Sequence, residues 1–266
     1  MKFFAVERQL FEKRSGDWVV QVFEKGDRRE LRFGNNIVQS AYSLAAPDMP
    51  VLDYARAMLA SLLFVPQPEY VLHLGLGAGS VPRFIHRFFP TVRQRVAEIN
   101  RDVIDAAYGF FDFPDSSRLL VTEQDAREFV ARSGETYDLI FVDAFVAVGA
   151  SAGFNETSFF KALRARLGRR GWVVNNVWGS DEENLRRVNR VMTAVFPSLY
   201  AVSVLSHSNV IFIGSPVAEA LSRSVLVRRA AALGQAIPFD FAQWVPRIRP
   251  LGMAQRTGGG GVVAKA

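Results

Sequence analysis

The stretch YVLHLGLGAGSVPRF, residues 70–84, constrains the fold of this chain more than any other. A strand-like apolar run ends in Gly75, Gly77 and Gly79, and apolar residues then return at helical spacing. Glycine lets a backbone turn at positive φ and lets another group come close. A buried strand, a tight glycine turn and a helix make the opening unit of an open α/β sheet, whose ligands lie beyond the carboxyl ends of its strands. Three readings of the turn compete: a βα turn with no ligand, a dinucleotide site, and a site for an adenosyl sulfonium. The dinucleotide fingerprint wants a third glycine at the sixth position, where this chain has Ser80.

The rest of the chain extends this unit. Apolar runs at 70–75, 94–98, 118–122, 137–143, 171–177, 199–205 and 209–214 predict seven strands. Helices are predicted over 80–89, 101–108, 125–132, 156–167 and 181–195. Continuous apolar strands such as YDLIFVDAF suit a sheet covered on both faces, and alternation with helices implies parallel crossovers. LYAVSVL and NVIFIGS are separated only by SHS, so they should pair antiparallel. The predicted fold is α/β: a Rossmann-like, mostly parallel seven-stranded sheet with a terminal antiparallel hairpin. It resembles the class I AdoMet-dependent methyltransferase plan. Before it, DWVVQVFE and RRELRFG flank KGD as a hairpin, and NNIVQSAY adds an extended piece. Residues 1–50 are thus a small N-terminal β segment, followed by a helix over 51–64 that stops before Pro66. Residues 51–240 are expected to form this α/β domain, and 241–266 a partly disordered tail ending in glycine-rich sequence.

Composition removes several kinds of chemistry. The chain of 266 residues has no cysteine, which excludes disulfides, thiolate metal sites and cysteine nucleophiles. His73, His86 and His207 do not have ligand spacing, so no metal is expected. Charges fall too early for a secretory signal and no apolar stretch reaches membrane length, so a soluble cytoplasmic protein with no membrane partner is expected. The net charge of +6 comes from arginines scattered along segments such as KALRARLGRR and NLRRVNRVM. These read as solvated helix faces rather than a nucleic-acid surface.

Acids at successive strand ends separate the readings of the glycine turn. Glu98 closes the second strand of the sheet, where a carboxylate can accept both ribose hydroxyls. Asp125 follows the third, where it can accept from an adenine amine or cap a helix. Asp143 ends the fourth. Their joint placement beside the turn favours the adenosyl sulfonium. His73, Trp172 and Trp178 read as packing residues, and alternation along the strand should turn one of Asn175 and Asn176 toward the pocket.

The ordered set VLHLGLGAGSVPRF, VAEINRDVIDAAYGFF, QDAREF, YDLIFVDAF and NETSFFKALRARLGRRGWVVNNVW resembles the spermidine synthase (polyamine aminopropyltransferase) family. LRFGNNIVQS is similar to that family's N-terminal segment, and Tyr54 to the tyrosine of its Y-H-E segment. The resemblance implies transfer of an aminopropyl group from decarboxylated AdoMet to putrescine or another polyamine. It implies a nucleoside site lined by Gln39, Gly75, Gly77, Gly79, Glu98, Asp125 and Ala126, and Tyr54 and Asp143 at the amine substrate. Asp143 is then the catalytic base, and a homodimer is implied. The chain departs from the family at three positions that carry groups for a cationic ligand: Ala78 in the glycine turn, Arg56, and Val146. Two other functions stay open: a small-molecule methyltransferase using AdoMet, and a non-catalytic protein that keeps nucleoside binding.

Overall fold

The computed structural model describes residues 5–16, 18–34, 37–144, 154–204 and 209–253. Alternating side chains in the N-terminal segment make four strands, β1 (Arg8–Ser15), β2 (Trp18–Lys25), β3 (Arg28–Phe33) and β4 (Val38–Ser43), joined as an antiparallel meander. β1 was not separately predicted. The expected 51–64 helix is shorter. It is α1 (Asp53–Met58), continued by a 3-10 turn over Leu59–Leu63 in which the Ser61 hydroxyl donates back to the Met58 carbonyl at 2.7 Å.

From Tyr70 strand and helix alternate: β5 (Tyr70–Leu74), α2 (Ser80–Phe88), β6 (Arg93–Glu98), α3 (Arg101–Phe110), β7 (Leu119–Glu123), α4 (Ala126–Arg132), β8 (Tyr137–Val142), α5 (Thr157–Ala165), β9 (Leu167–Trp178), α6 (Glu182–Val195), β10 (Ser198–Ser203), β11 (Asn209–Ser215) and α7 (Arg223–Ala236). A last strand, β12 (Ile248–Met253), completes an eight-stranded sheet of order β12-β10-β11-β9-β8-β5-β6-β7. β9 to β7 run parallel, and β11 inserts antiparallel between β9 and β10. The sheet has one strand more than expected. β12 pairs with β10 inside the segment read as a tail, where IRPLGM lacks strand alternation. α7 was also not predicted. Val146 and His207 lie outside the described residues.

Both faces of the sheet are covered. Phe84, Leu226 and Trp244 pack on one face, and Phe160, Leu163 and Met192 on the other. A third cluster joins Val20, Val22 and Leu31 of the N-terminal sheet to Val103, Ile104 and Phe111 on α3 and just beyond it. Each such side chain contributes about 1.5–3 kcal/mol on burial.

One polar group ties the N-terminal segment to the glycine turn. Arg83 on α2 is 3% exposed and makes no ion pair with a carboxylate among the described residues. Its guanidinium donates instead to the main-chain carbonyls of Pro47 (3.1 Å), Ala78 (2.9 Å) and Phe111, and lies 4.7 Å from the centre of the Tyr42 ring. Burial holds this guanidinium below its ordinary pKa.

Gly79 has φ +72° and precedes α2. A Cβ there would stand 2.2 Å from the Phe113 ring. Gly79→Ala combines left-handed strain with an overpacked contact and is expected to cost about 2–4 kcal/mol. Thermal unfolding checks this: a melting temperature within a degree or so of the parent would refute the packing role.

Candidate functional site

A cleft of about 930 Å³ opens where β5, β6, β8 and β9 end, with Trp18, Phe33 and Gln39 of the N-terminal segment on its other side. This is an ordinary size for a small-molecule site. Gln39, Tyr54, Gly75, Gly77, Glu98, Asp125, Ala126 and Asp143 all line it. Gly79 is set back from it, against Phe113.

The turn after β5 is drawn tightly against β8. Gly75 has φ +101°, and a Cβ on it would sit 2.4 Å from the Asp143 carbonyl oxygen. Main-chain bonds hold this approach: Gly75 N–H to Ala97 O and Asp143 N–H to Leu74 O, both at 2.9 Å. Only glycine fits here.

Glu98 accepts from the main-chain N–H of Leu76 with one oxygen and of Asn100 with the other, each at 2.9 Å. The carboxylate thereby braces the glycine turn and keeps a lone pair on each oxygen. Burial pushes its pKa up, against the pull of the N–H groups of Asn100, Leu76 and Ile99. Asp125 caps α4, accepting from Arg127 N–H at 2.7 Å, and pairs with the Arg127 guanidinium at 2.6 Å. That guanidinium is the chief cause of its lowered pKa. Arg127 in turn lies 5.1 Å from the Phe154 ring centre, and both line the cleft.

Asp143 is the acid most perturbed by its surroundings. Burial pushes its pKa up to about 6, and the nearby Glu98 charge adds to this. The hydrogen bond from Asn176 and the neighbouring Tyr54 hydroxyl pull the other way. Asn176 Nδ2 donates to Asp143 Oδ1 at 2.8 Å, and Asn209 Nδ2 donates to Asn176 Oδ1 at 3.0 Å. The second bond fixes the Asn176 amide with its N–H side toward the carboxylate. The Tyr54 hydroxyl donates to the Gln39 carbonyl at 2.8 Å; burial and the Asp143 charge raise its pKa well above the ordinary value.

Asn176 is thus a cleft residue, and Asn209 was missed because its role depends on β11 lying beside β9. Trp178, read as packing, is 47% exposed at the cleft, and Ile99 is 54% exposed there, so both offer apolar surface to a ligand. Trp172 is core against Phe64. His73 is buried, bonded to Gln94 at 2.8 Å and stacked on Phe141, with burial lowering its pKa to about 4. Gln39 Nε2 is buried without a hydrogen-bond partner among the described residues. No metal-holding cluster of His, Cys, Asp or Glu occurs among the described residues, and no described helix is long and apolar enough to cross a membrane.

The folded pKa of Asp143 lies above its ordinary 3.8, so its contribution to stability is largest below that value and is lost as pH rises through about 6. Asp143→Asn removes the buried charge. The variant should be more stable than the parent by about 1–3 kcal/mol at pH 7, and the gap should close near pH 4. Calorimetric melting at both pH values decides; a gap that does not change with pH excludes the buried charge as its cause.

Comparison with known proteins places this geometry among relatives. A family model described as "Spermine/spermidine synthase domain" matches residues 54–209. A polyamine aminopropyltransferase of Neisseria meningitidis (serogroup A / serotype 4A) is 32% identical over 239 residues, covering 88% of this chain and 90% of that protein. The crystal structure of a probable spermidine synthase from Corynebacterium glutamicum matches with a TM-score of 0.71 at 20% identity, covering 96% of this chain and 99% of that one. A spermidine synthase solved with the transition state analogue AdoDATO matches with a TM-score of 0.67 at 18% identity, covering 80% and 75%. The two structures establish the shared fold.

Proposed function

This chain belongs to the spermine/spermidine synthase family, and from that membership we propose that it transfers an aminopropyl group from decarboxylated AdoMet to an amine. The observation that carries the reading is the row Glu98, Asp125 and Asp143 around the glycine turn in one cleft. In the basic chain this cleft is acidic, with four carboxylates against the single guanidinium of Arg127 among the described lining residues. Acid lining suits a sulfonium and an ammonium.

Glu98, with a lone pair left on each oxygen, receives the ribose hydroxyls. Asp125 and Ala126 meet the adenine, and Ile99 covers one of its faces. The unpaired Gln39 amide donates to a ligand oxygen, which relieves a buried donor otherwise left without a partner. Asp143 binds the acceptor ammonium and takes one proton from it. The freed nitrogen lone pair then forms the N–C bond while the C–S bond breaks, its electron pair staying on sulfur as a neutral thioether. The leaving group needs no acid. One positioned base together with proximity therefore accounts for the chemistry. Asn176, locked by Asn209, and Tyr54 keep the buried base ionisable. Methyl transfer from AdoMet is the weaker alternative, because the 32% relative spanning most of this chain is an aminopropyltransferase.

Calorimetric titration with decarboxylated AdoMet, AdoMet and methylthioadenosine tests the donor, and a clear preference for AdoMet would overturn the reading. In a transfer assay Asp143→Asn should lose about a hundredfold or more in kcat while methylthioadenosine affinity holds. The parent's kcat/KM should rise with pH through about 6, as Asp143 ionises. Full activity in the variant removes Asp143 from the mechanism. The homodimer implied by the resemblance belongs to the same reading; a monomeric mass in light scattering counts against it.

A further inference from the structure

The cleft's carboxylates are not equally free to bind a cation. Asp143 is taken by the reacting nitrogen in the proposed reaction. Glu98 serves the Leu76 and Asn100 N–H groups, and Asp125 serves Arg127. Residues 145–153 and 205–208, FVAVGASAG and LSHS, contain no Asp or Glu. The remaining lining acid among the described residues is Asp181, at the start of α6. One of its oxygens caps the helix through the Asn184 N–H at 2.9 Å, and the other has no partner among the described residues.

Two amides of the same cleft have their polarity fixed by their neighbours. Asn176 Nδ2 donates to the Asp143 carboxylate, so Asn176 turns its Oδ1 to Asn209 and accepts from Asn209 Nδ2 at 3.0 Å. Asn209 is only 5% exposed, yet its own Oδ1 has no partner among the described residues and the residue lines the cleft. It stands opposite Trp178 on β9, three residues before Asp181. Asn184 Oδ1 accepts from the Arg187 guanidinium at 3.1 Å, so the Asn155 atom 2.7 Å from it is the donor Nδ2. Asn155 is left with its Oδ1 to present.

The N-terminus of a helix by itself favours an anion. Here Asp181, Glu182 and Glu183 stand in that first turn. Glu182 pairs with Arg186 at 3.1 Å, which leaves Asp181 and Glu183 against Arg187. One unused carboxylate oxygen and two amide oxygens are the acceptors an ammonium needs when it leaves water.

We infer that the acceptor is a diamine or longer polyamine whose second ammonium is received by Asp181 together with the side-chain oxygens of Asn155 and Asn209. Asp181 then selects for the second charge, and Asp143 acts on the first nitrogen. This rests on the aminopropyl-transfer reading, and it concerns only where the far end of the acceptor lies.

The test compares 1,4-diaminobutane with 1-aminobutane, which match in length and differ in the second charge. Both are titrated calorimetrically into protein saturated with methylthioadenosine, at about pH 8, where Asp143 is ionised. The diamine is expected to bind about tenfold or more tightly than the monoamine. Asp181→Asn keeps the shape and the helix cap while removing the charge. It should cost the diamine about fivefold or more in affinity and leave the monoamine within about twofold. Equal binding of the two amines by the parent, or a ratio unchanged in the variant, overturns the inference. Two fixed acids also define one span. Across diamines of increasing length, the parent's preference over the monoamine of equal length should pass through a maximum that Asp181→Asn abolishes. Unchanged methylthioadenosine affinity in the variant shows that the fold is kept. A transfer assay with decarboxylated AdoMet and the same amines runs in parallel. Absence of transfer to any of them rejects the proposed reaction, while the binding ratio still decides the role of Asp181.

Discussion

The site depends on the closeness of two strand ends. β5 and β8 run parallel as neighbours, and the chain leaving β5 turns so tightly that Gly75 touches the main chain of Asp143. No side chain fits between them. The acid therefore stands directly beside the glycine turn, rather than across an open crevice. Glu98 holds the other side of the turn through Leu76, and Arg83 holds its far end through Ala78. Three strands and one helix thus define a few residues of backbone, and the N-terminal sheet is fastened to the same few residues through Pro47 and the Tyr42 ring.

Burying a carboxylate in such a place has a definite electrostatic outcome. Desolvation opposes the charge, while Asn176 and Tyr54 favour it. Neutral hydrogen bonds contribute only about 0.5–1.5 kcal/mol each, so they restrain the upward shift without cancelling it. A lysine or arginine in contact would cancel it, but it would also occupy the carboxylate and neutralise it toward any other cation. Amides stabilise the anion and leave its charge available.

Much of this was legible in the chain. Gly75, Gly77, Glu98 and Asp143 are local signals: each sits where an apolar run ends, and strand period and turn chemistry are short-range rules. Alternation along β9 pointed to an asparagine facing the cleft, and Asn176 does so. Other features were not legible because they depend on distant pairing. Asn209 matters only once β11 lies beside β9, and nothing near Asn209 announces that neighbour. Gly79 looks like its two companions until Phe113, far along the chain, fills the space beside it. Asp125 satisfies two readings in sequence; the structure shows it capping α4 and pairing with Arg127. β12 carries a proline and a glycine and becomes a strand because β10 offers an edge to pair with.

The insertion of β11 between β9 and β10 bears on how the protein comes into being on the ribosome. The parallel strands emerge in an order that lets them assemble one after another, and Asp143 is made with them. Asn209, which orients the amide beside that acid, emerges only after β10, and it must then enter between two strands already synthesised. A nascent chain halted before β11 would hold its glycine turn and its acid but lack the bond that aims Asn176 at them. The aim of Asn176 at the acid therefore rests on a strand made after every one of the parallel strands.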